Sequence, residues 1–253
     1  MFHDMKIAIF TNEEYSFLFD AWRRTIPELR KSHEIAGIWV IPELLKDLRG
    51  FQIPLWYLRT FGLVTVLQLA IRSVATRLRV RGTYESTARE FGIAFHRGKS
   101  PNAPETVAWV RDQGIDVIFI ALGNIIKAPL IEAARVGVVN KHSALLPAYR
   151  GLLPMFWTLL DGRTPAGVTV HKIDVEIDHG EVLVQRAYPG IPASVYDGYR
   201  LIYRDMPDLL LAALRALETG ERTLVDVPRE ASYRSLPTRD DVKAFRSKGL
   251  RFV

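Results

Sequence analysis

Apolar residues recur in short runs of two kinds along the chain, and their alternation predicts strands and helices in turn. Lys6-Ile-Ala-Ile-Phe-Thr11 is an apolar run of strand length, the next segment spaces Leu18, Trp22 and Leu29 as a helix would, and Ile35 to Ile41 returns to the strand pattern. A strand, a helix and a strand in that order predict a parallel, Rossmann-like sheet. The rhythm resumes at Tyr84. Ser86 is placed to cap a helix through Phe91, Gly92 to His96 reads as a short strand, and a helix follows through Trp109 and Val110. Ile115 to Leu122 is apolar on both faces, which predicts a central strand. It stops at Gly123-Asn124, and Ile125-Ile126-Lys127-Ala-Pro129 opens the next helix.

Gly137-Val-Val-Asn-Lys-His142 then reads as a short buried strand, Pro154 as the first turn of a helix carrying Trp157 and Leu160, and Val182 to Ala187 as an edge strand. Ser194 is placed to cap a long helix that ends near Leu217, with Pro207 as a break or kink and Gly220 as its stop. Its stripe of Leu201, Ile202, Leu209, Leu210 and Leu214 predicts ordinary core packing. The expected organisation is an α/β core over residues 1–190, a mostly parallel sheet flanked by helices. Residues 191–253 form a short C-terminal helix and tail that pack on it.

One stretch breaks the rhythm. Residues 51 to 82 are densely apolar through Ile53-Pro-Leu-Trp-Tyr-Leu58 and Phe61 to Ile71. No acidic residue occurs between Asp47 and Glu85, while Arg49, Arg59, Arg72, Arg77, Arg79 and Arg81 accumulate. Arg59 and Gln68 interrupt the run, which falls well short of the roughly 20 residues that a bilayer span needs. Three readings remain open: a core or dimer-interface helix, a basic amphipathic helix on an anionic membrane surface, or an anion or nucleic-acid patch.

The composition of the 253 residues, 48% hydrophobic and 25% charged, is that of a globular chain with a sizeable core. A net charge of +6 suits a negatively charged partner, a nucleotide diphosphate included. The absence of cysteine removes disulfides and thiolate metal sites and fits a cytoplasmic setting. No leader pattern opens the chain, and Met5 begins the first strand so directly that residues 1 to 4 read as an upstream-start extension. After that strand comes Asn12-Glu13-Glu14-Tyr15, with no Gly-x-Gly-x-x-Gly, so a dinucleotide cradle is disfavoured.

Candidate chemistry gathers at Asn140, His142 and Asp178. Residues i and i+2 of a strand face the same way, so the amide and the imidazole can address one pocket. Asp178 lies in Ile173-Asp-Val-Glu-Ile-Asp-His-Gly180, a turn-like segment between two expected strands, from which a carboxylate can return to orient the imidazole. Any one of these residues alone is as well explained as a satisfied structural group. His171 and His179 read as supporting residues. No His and Asp spacing matches a common zinc motif, so no metal is expected.

The set Asn140-x-His142, Ser143-Ala-Leu-Leu-Pro-Ala-Tyr-Arg-Gly151, Gly167-Val-Thr-Val-His171 and Asp178-x-Gly180 resembles the N10-formyltetrahydrofolate-dependent formyltransferases, covering residues 84 to 188 well and the rest loosely. The resemblance implies the formyltransferase fold, N10-formyltetrahydrofolate as co-substrate, and Asn140, His142 and Asp178 as catalytic residues. It further implies that Leu122, Gly123, Ile125, Val175 and Ile177, beside Asp178, hold the pteridine. Ser143, Tyr149 and Arg150 are implied at the acceptor, with Arg150 open equally to a role in pinning its loop.

Leu152 stands where some relatives acting on UDP-sugars or charged tRNA have a polar residue. The tail Tyr233-x-Ser-x-Pro-Thr-x-x-Asp-Val242 resembles that of the sugar N-formyltransferases. The implied acceptor is therefore a nucleotide-linked amino sugar, at its narrowest GDP-perosamine for O-antigen and lipopolysaccharide synthesis, in a homodimer with no nucleic acid. Membrane contact through residues 51–82 would set the protein at the inner face of the membrane. The alternatives are a methionyl-tRNA formyltransferase-like enzyme, whose additional C-terminal β-domain the sequence lacks, and a non-catalytic folate- or nucleotide-binding domain.

Overall fold

The computed structural model describes residues 4–162, 165–226 and 230–253. Residues 1–3, most of the expected N-terminal extension, lie outside the described residues.

The chain opens with β1 (Lys6–Asn12), α1 (Leu18–Leu29) and β2 (Glu34–Ile41), followed by a small hairpin of β3 (Leu44–Leu45) and β4 (Leu48–Arg49). Two helices, α2 (Gln52–Phe61) and α3 (Leu63–Arg79), meet at Gly62, and then come α4 (Tyr84–Glu90), β5 (Ala94–Arg97), α5 (Pro104–Asp112) and β6 (Val117–Ala121). A short α6 (Ala128–Ile131) leads to β7 (Gly137–His142), β8 (Arg150–Gly151), α7 (Pro154–Asp161), β9 (Ala166–Lys172) and β10 (Val182–Tyr188). The chain closes with α8 (Val195–Arg204), α9 (Met206–Thr219), β11 (Tyr233–Arg234) and α10 (Arg239–Ser247).

Seven of these strands form one sheet in the order β10-β9-β7-β6-β1-β2-β5. Every pairing from β7 to β5 is parallel, and β9 and β10 run antiparallel at one edge, so the sheet is mostly parallel as the sequence predicts. Alternation along the central strands divides the core in two. Ile7 and Ile9 of β1 with Val117 and Phe119 of β6 pack towards α1, α7 and α9, while Ala8, Phe10, Ile118 and Ile120 pack towards α5 and α6. Strand β6 sits at the middle of the sheet, where its two-sided apolar run belongs.

Most predicted punctuation holds. Ser194 accepts a hydrogen bond from the Asp197 N–H as the cap of α8, the helix breaks at Asp205 with Pro207 in the first turn of α9, and Gly220 ends α9 in the left-handed conformation (φ 77°). One cap is corrected. Thr83, not Ser86, is the N-cap of α4, and the two side chains exchange hydrogen bonds with each other's backbone in a capping box. A threonine three residues before a serine leaves both assignments open in sequence, and the extended backbone of Thr83 decides it.

Within the C-terminal part, α9 packs against α1 and β10. The N–H groups of Val195 and Tyr196 donate to the carbonyls of Arg251 and Phe252, and β11 pairs in parallel with β8. The reading of residues 51–82 as a core helix fails for α3. Thr65 is its one buried residue, while α2 buries Ile53 and Phe61.

Candidate active site

At the carboxyl ends of β1, β6 and β7 lies a cleft of about 690 Å³, walled by residues 120–126 on one side and 173–178 on the other, in the size range of small-molecule sites. Its floor is the end of β7. Asn140 and His142 point to the α5/α6 side of the sheet, and Lys141 and Ser143 to the α1/α8 side.

Asp178 is the centre of the polar arrangement. Its Oδ1 is 3.4 Å from His142 Nδ1, 3.4 Å from Asn140 Nδ2 and 4.0 Å from His171 Nε2, and its Oδ2 accepts a 2.7 Å hydrogen bond from the Gly151 N–H. Burial opposes ionisation of this carboxyl, but the His142 charge and hydrogen bond, the Gly151 N–H and His171 outweigh it and hold the group below the usual carboxylate range.

The imidazoles take distinct roles from their partners. His142 Nε2 lies 2.8 Å from the Tyr149 carbonyl oxygen, which can only accept, so Nε2 holds a proton in either charge state, and Nδ1 faces Asp178 and the cleft, donating to the carboxylate when the ring is a cation. His171 Nδ1 faces the carbonyls of Lys172 and His179 at 3.3 and 3.2 Å, which leaves its Nε2 bare, 3.4 Å from Asn140 Nδ2. Burial and the nearby His142 charge push His171 below the ordinary imidazole range against the pull of Asp178, so it stays neutral and orients the Asn140 amide. The amide's 3.4 Å contacts are long, and its hydrogens remain available to a developing oxyanion.

The backbone around Asp178 is specialised. Asp178 itself adopts φ 46°, a left-handed conformation that Asp tolerates better than most residues. Two residues on, Gly180 has φ 111°, and a Cβ there would lie 2.2 Å from the Lys172 carbonyl oxygen. Gly180→Ala is therefore expected to cost about 1–3 kcal/mol of stability in urea unfolding and to displace the Asp178 turn. Gly123 plays a matching part on the other wall, since a Cβ there would lie 1.8 Å from the Leu44 carbonyl oxygen of the hairpin that covers it.

All the residues that the sequence suggests for a pteridine, Leu122, Gly123, Ile125, Val175, Ile177 and Asp178, line the cleft. Ser143 lines it too, but Tyr149 does not. The Tyr149 ring is buried in the core at φ 59°, and only its carbonyl reaches the site, through His142. Arg150 donates from Nε to the Ile177 carbonyl at 2.9 Å and lies 3.6 Å from Glu176, so it pins the two loops together. Tail residues brace the same loop, the Tyr149 N–H donating to Ser232 Oγ and Trp157 Nε1 to the Ser235 carbonyl. His179 is exposed and pairs with Asp174.

Sequence reading missed Lys141. Its Nζ lies 3.2 Å from Ser143 Oγ and 4.1 Å from the centroid of the Tyr203 ring, and burial pushes its ammonium down to about 7. The signal was a lysine in a buried strand, between Asn140 and His142. An amine whose folded pKa lies below its unfolded value, ~10.4, weakens the fold wherever the unfolded chain is protonated. Lys141→Met is therefore expected to stabilise the protein most at and below about pH 7, the gain fading as pH rises towards 10; chemical denaturation across that range tests it.

Residues 82–199 match the family model described as formyl transferase. Among curated proteins, the chain is 39% identical over 101 residues to a methionyl-tRNA formyltransferase of Geobacter metallireducens, covering 40% of this chain and 32% of the relative. It is 35% identical over 155 residues to that of Solibacter usitatus, covering 60% and 49%. The chain thus spans less than half the length of these relatives.

Among solved structures, the fold resembles glycinamide ribonucleotide transformylase 1 of Symbiobacterium toebii, with TM-score 0.62 and 18% identity, over 89% of this chain and 96% of that one. It also resembles a sugar N-formyltransferase of a Shewanella species, with TM-score 0.55 and 16% identity, over 97% and 88%.

Proposed function

We propose that the protein transfers the formyl group of N10-formyltetrahydrofolate to the primary amine of a nucleotide-linked amino sugar. The observation that carries the reading is the meeting of Asn140, His142 and Asp178 around one point of the cleft, with Asn140 Nδ2 and His142 Nδ1 each 3.4 Å from Asp178 Oδ1. The apolar side chains of Ile125, Val175 and Ile177 stand 61%, 74% and 43% exposed along the walls, an arrangement that a flat heteroaromatic ring would cover. Leu122, Gly123 and Asp178 would hold the donor beside them.

In the reaction, the amine nitrogen bonds to the formyl carbon, the bond from that carbon to N10 breaks, and a proton passes from the amine to N10. Asn140 directs an uncharged amide N–H at the carbonyl oxygen as it gains charge. His142 Nδ1 takes and returns the proton, and Asp178 fixes the ring and stabilises its cation. Ser143 and Lys141 offer a hydroxyl and an amine to the acceptor's side of the strand.

The acceptor class draws support from the tail that braces the loop at Gly151 and from the Shewanella sugar N-formyltransferase, whose fold extends over nearly the whole chain. The likeness to methionyl-tRNA formyltransferases makes methionyl-tRNA the competing acceptor. Incubation with N10-formyltetrahydrofolate and a panel of GDP-, dTDP- and UDP-linked amino sugars, GDP-perosamine first, is expected to add a formyl mass to one nucleotide class. Formylation of methionyl-tRNA, with none of the sugars modified, would replace the amino-sugar reading.

A further inference from the structure

Helix α3 carries a surface that the catalytic reading does not use. Leu63, Val64, Leu67, Ile71, Val74 and Leu78 are each between 52% and 73% exposed. At 3.6 residues per turn they fall on one arc about 100° wide, diametrically opposite the arc that holds Thr65, Leu69, Ser73 and Thr76 against the body. The result is an outward apolar ridge about 25 Å long. It leaves several hundred Å² of contiguous apolar surface in water, more than a monomer ordinarily tolerates.

Charge decides what covers it. Arg72 and Arg79 border the ridge on one side and Arg77 on the other, all exposed. Arg72 and Arg77 lie back over the rings of Tyr196 and Tyr15, 4.9 and 3.9 Å from their centroids, which sets the guanidiniums at the shoulders of the helix, nearer the body than the apolar crest. No acidic residue occurs from position 48 to 84. Of the three arginines, Arg79 lies 3.7 Å from Asp20 of α1, and a second copy of α3 packed on this ridge would bring arginine against arginine with no carboxylate on either α3 to pair Arg72 and Arg77. An anionic lipid surface supplies those counter-charges at the depth where the shoulders lie, and its acyl boundary takes the crest.

Among the described residues no helix is long and apolar enough to cross a membrane, so the contact lies in the plane of the surface. We infer that the protein docks on anionic bilayers through the outer face of α3.

Flotation of the full chain with vesicles tests this. The protein is expected to float with vesicles of phosphatidylcholine and phosphatidylglycerol, and to do so far less with phosphatidylcholine alone or at raised salt. The double variant Ile71→Asp with Val74→Asp, on exposed positions and checked for native circular dichroism, is expected to lose flotation at least tenfold. Arg72→Gln with Arg79→Gln, which keeps the ridge, is expected to weaken it about fivefold per charge removed. Failure of the unmodified protein to float, or flotation of the aspartate variant at the unmodified level, overturns the inference. So does sedimentation velocity that finds a dimer which the aspartate variant dissociates, with no vesicle binding in either, since the ridge would then belong to a second copy.

Discussion

Asn140→Ala and His142→Ala are each expected to lower kcat for formyl transfer by about a hundred- to a thousandfold, the range for removing one preorganised donor from an oxyanion site. The expectation follows from position. Both side chains leave the end of β7 on one face of the sheet and converge on Asp178 from a strand held on both sides, by β6 and β9. His171 orients the amide, and the Tyr149 carbonyl fixes the imidazole through Nε2. Groups so held act on charge that develops only as the amine attacks, and their loss falls on kcat with little change in KM. Steady-state kinetics at saturating donor and acceptor read the split. A variant that keeps kcat and raises KM would make these residues binding groups, and one at full kcat would remove them from the chemistry.

Asp178→Asn is expected to cost about a hundredfold or more in kcat, because an amide can orient His142 but cannot stabilise its cation. The same substitution carries a pH signature in stability. The folded carboxyl is held below its unfolded value of ~3.9 by His142, the Gly151 N–H and His171 against the opposing effect of burial. A lowered folded pKa means that the ionised group stabilises the fold fully above the unfolded value, and that this is lost as pH falls through the depressed folded value. Urea unfolding should therefore show a gap between the unmodified protein and Asp178→Asn that is constant at neutral pH and closes only below about pH 4. A gap that persists unchanged into strong acid would mean that the carboxylate's charge is not what the fold uses.

Much of the architecture was legible because local pattern and tertiary role agree. The two-sided run at Ile118 to Ile120 reads as a central strand, and the break at Pro207 follows from a ring that fits a helix's first turn better than its interior. The convergence of Asn140 and His142 was legible for a similar reason, since period-two alternation puts the two on one face whatever lies around them.

What sequence concealed was which side of a loop faces the cleft. Tyr149 sits at φ 59°, and that left-handed turn sends the ring into the core and the carbonyl to His142, the reverse of the ring at the acceptor that the resemblance implied. Lys141 was hidden by its neighbours' strong signal. Its importance comes from Tyr203, which reaches it from a helix about sixty positions away. Helix α3 was ambiguous because a buried and an exposed apolar face have the same period. Only the placement of the opposite arc against the body separates them.

The most direct test of the account is a crystal structure of the protein with 5-formyltetrahydrofolate, a donor analogue. The account predicts the pterin between residues 122–125 and 175–178, covering Ile125, Val175 and Ile177, with the one-carbon end beside Asn140, His142 and Asp178. A pterin bound at another surface, or a cleft that stays closed to the folate at saturating concentration, would contradict it.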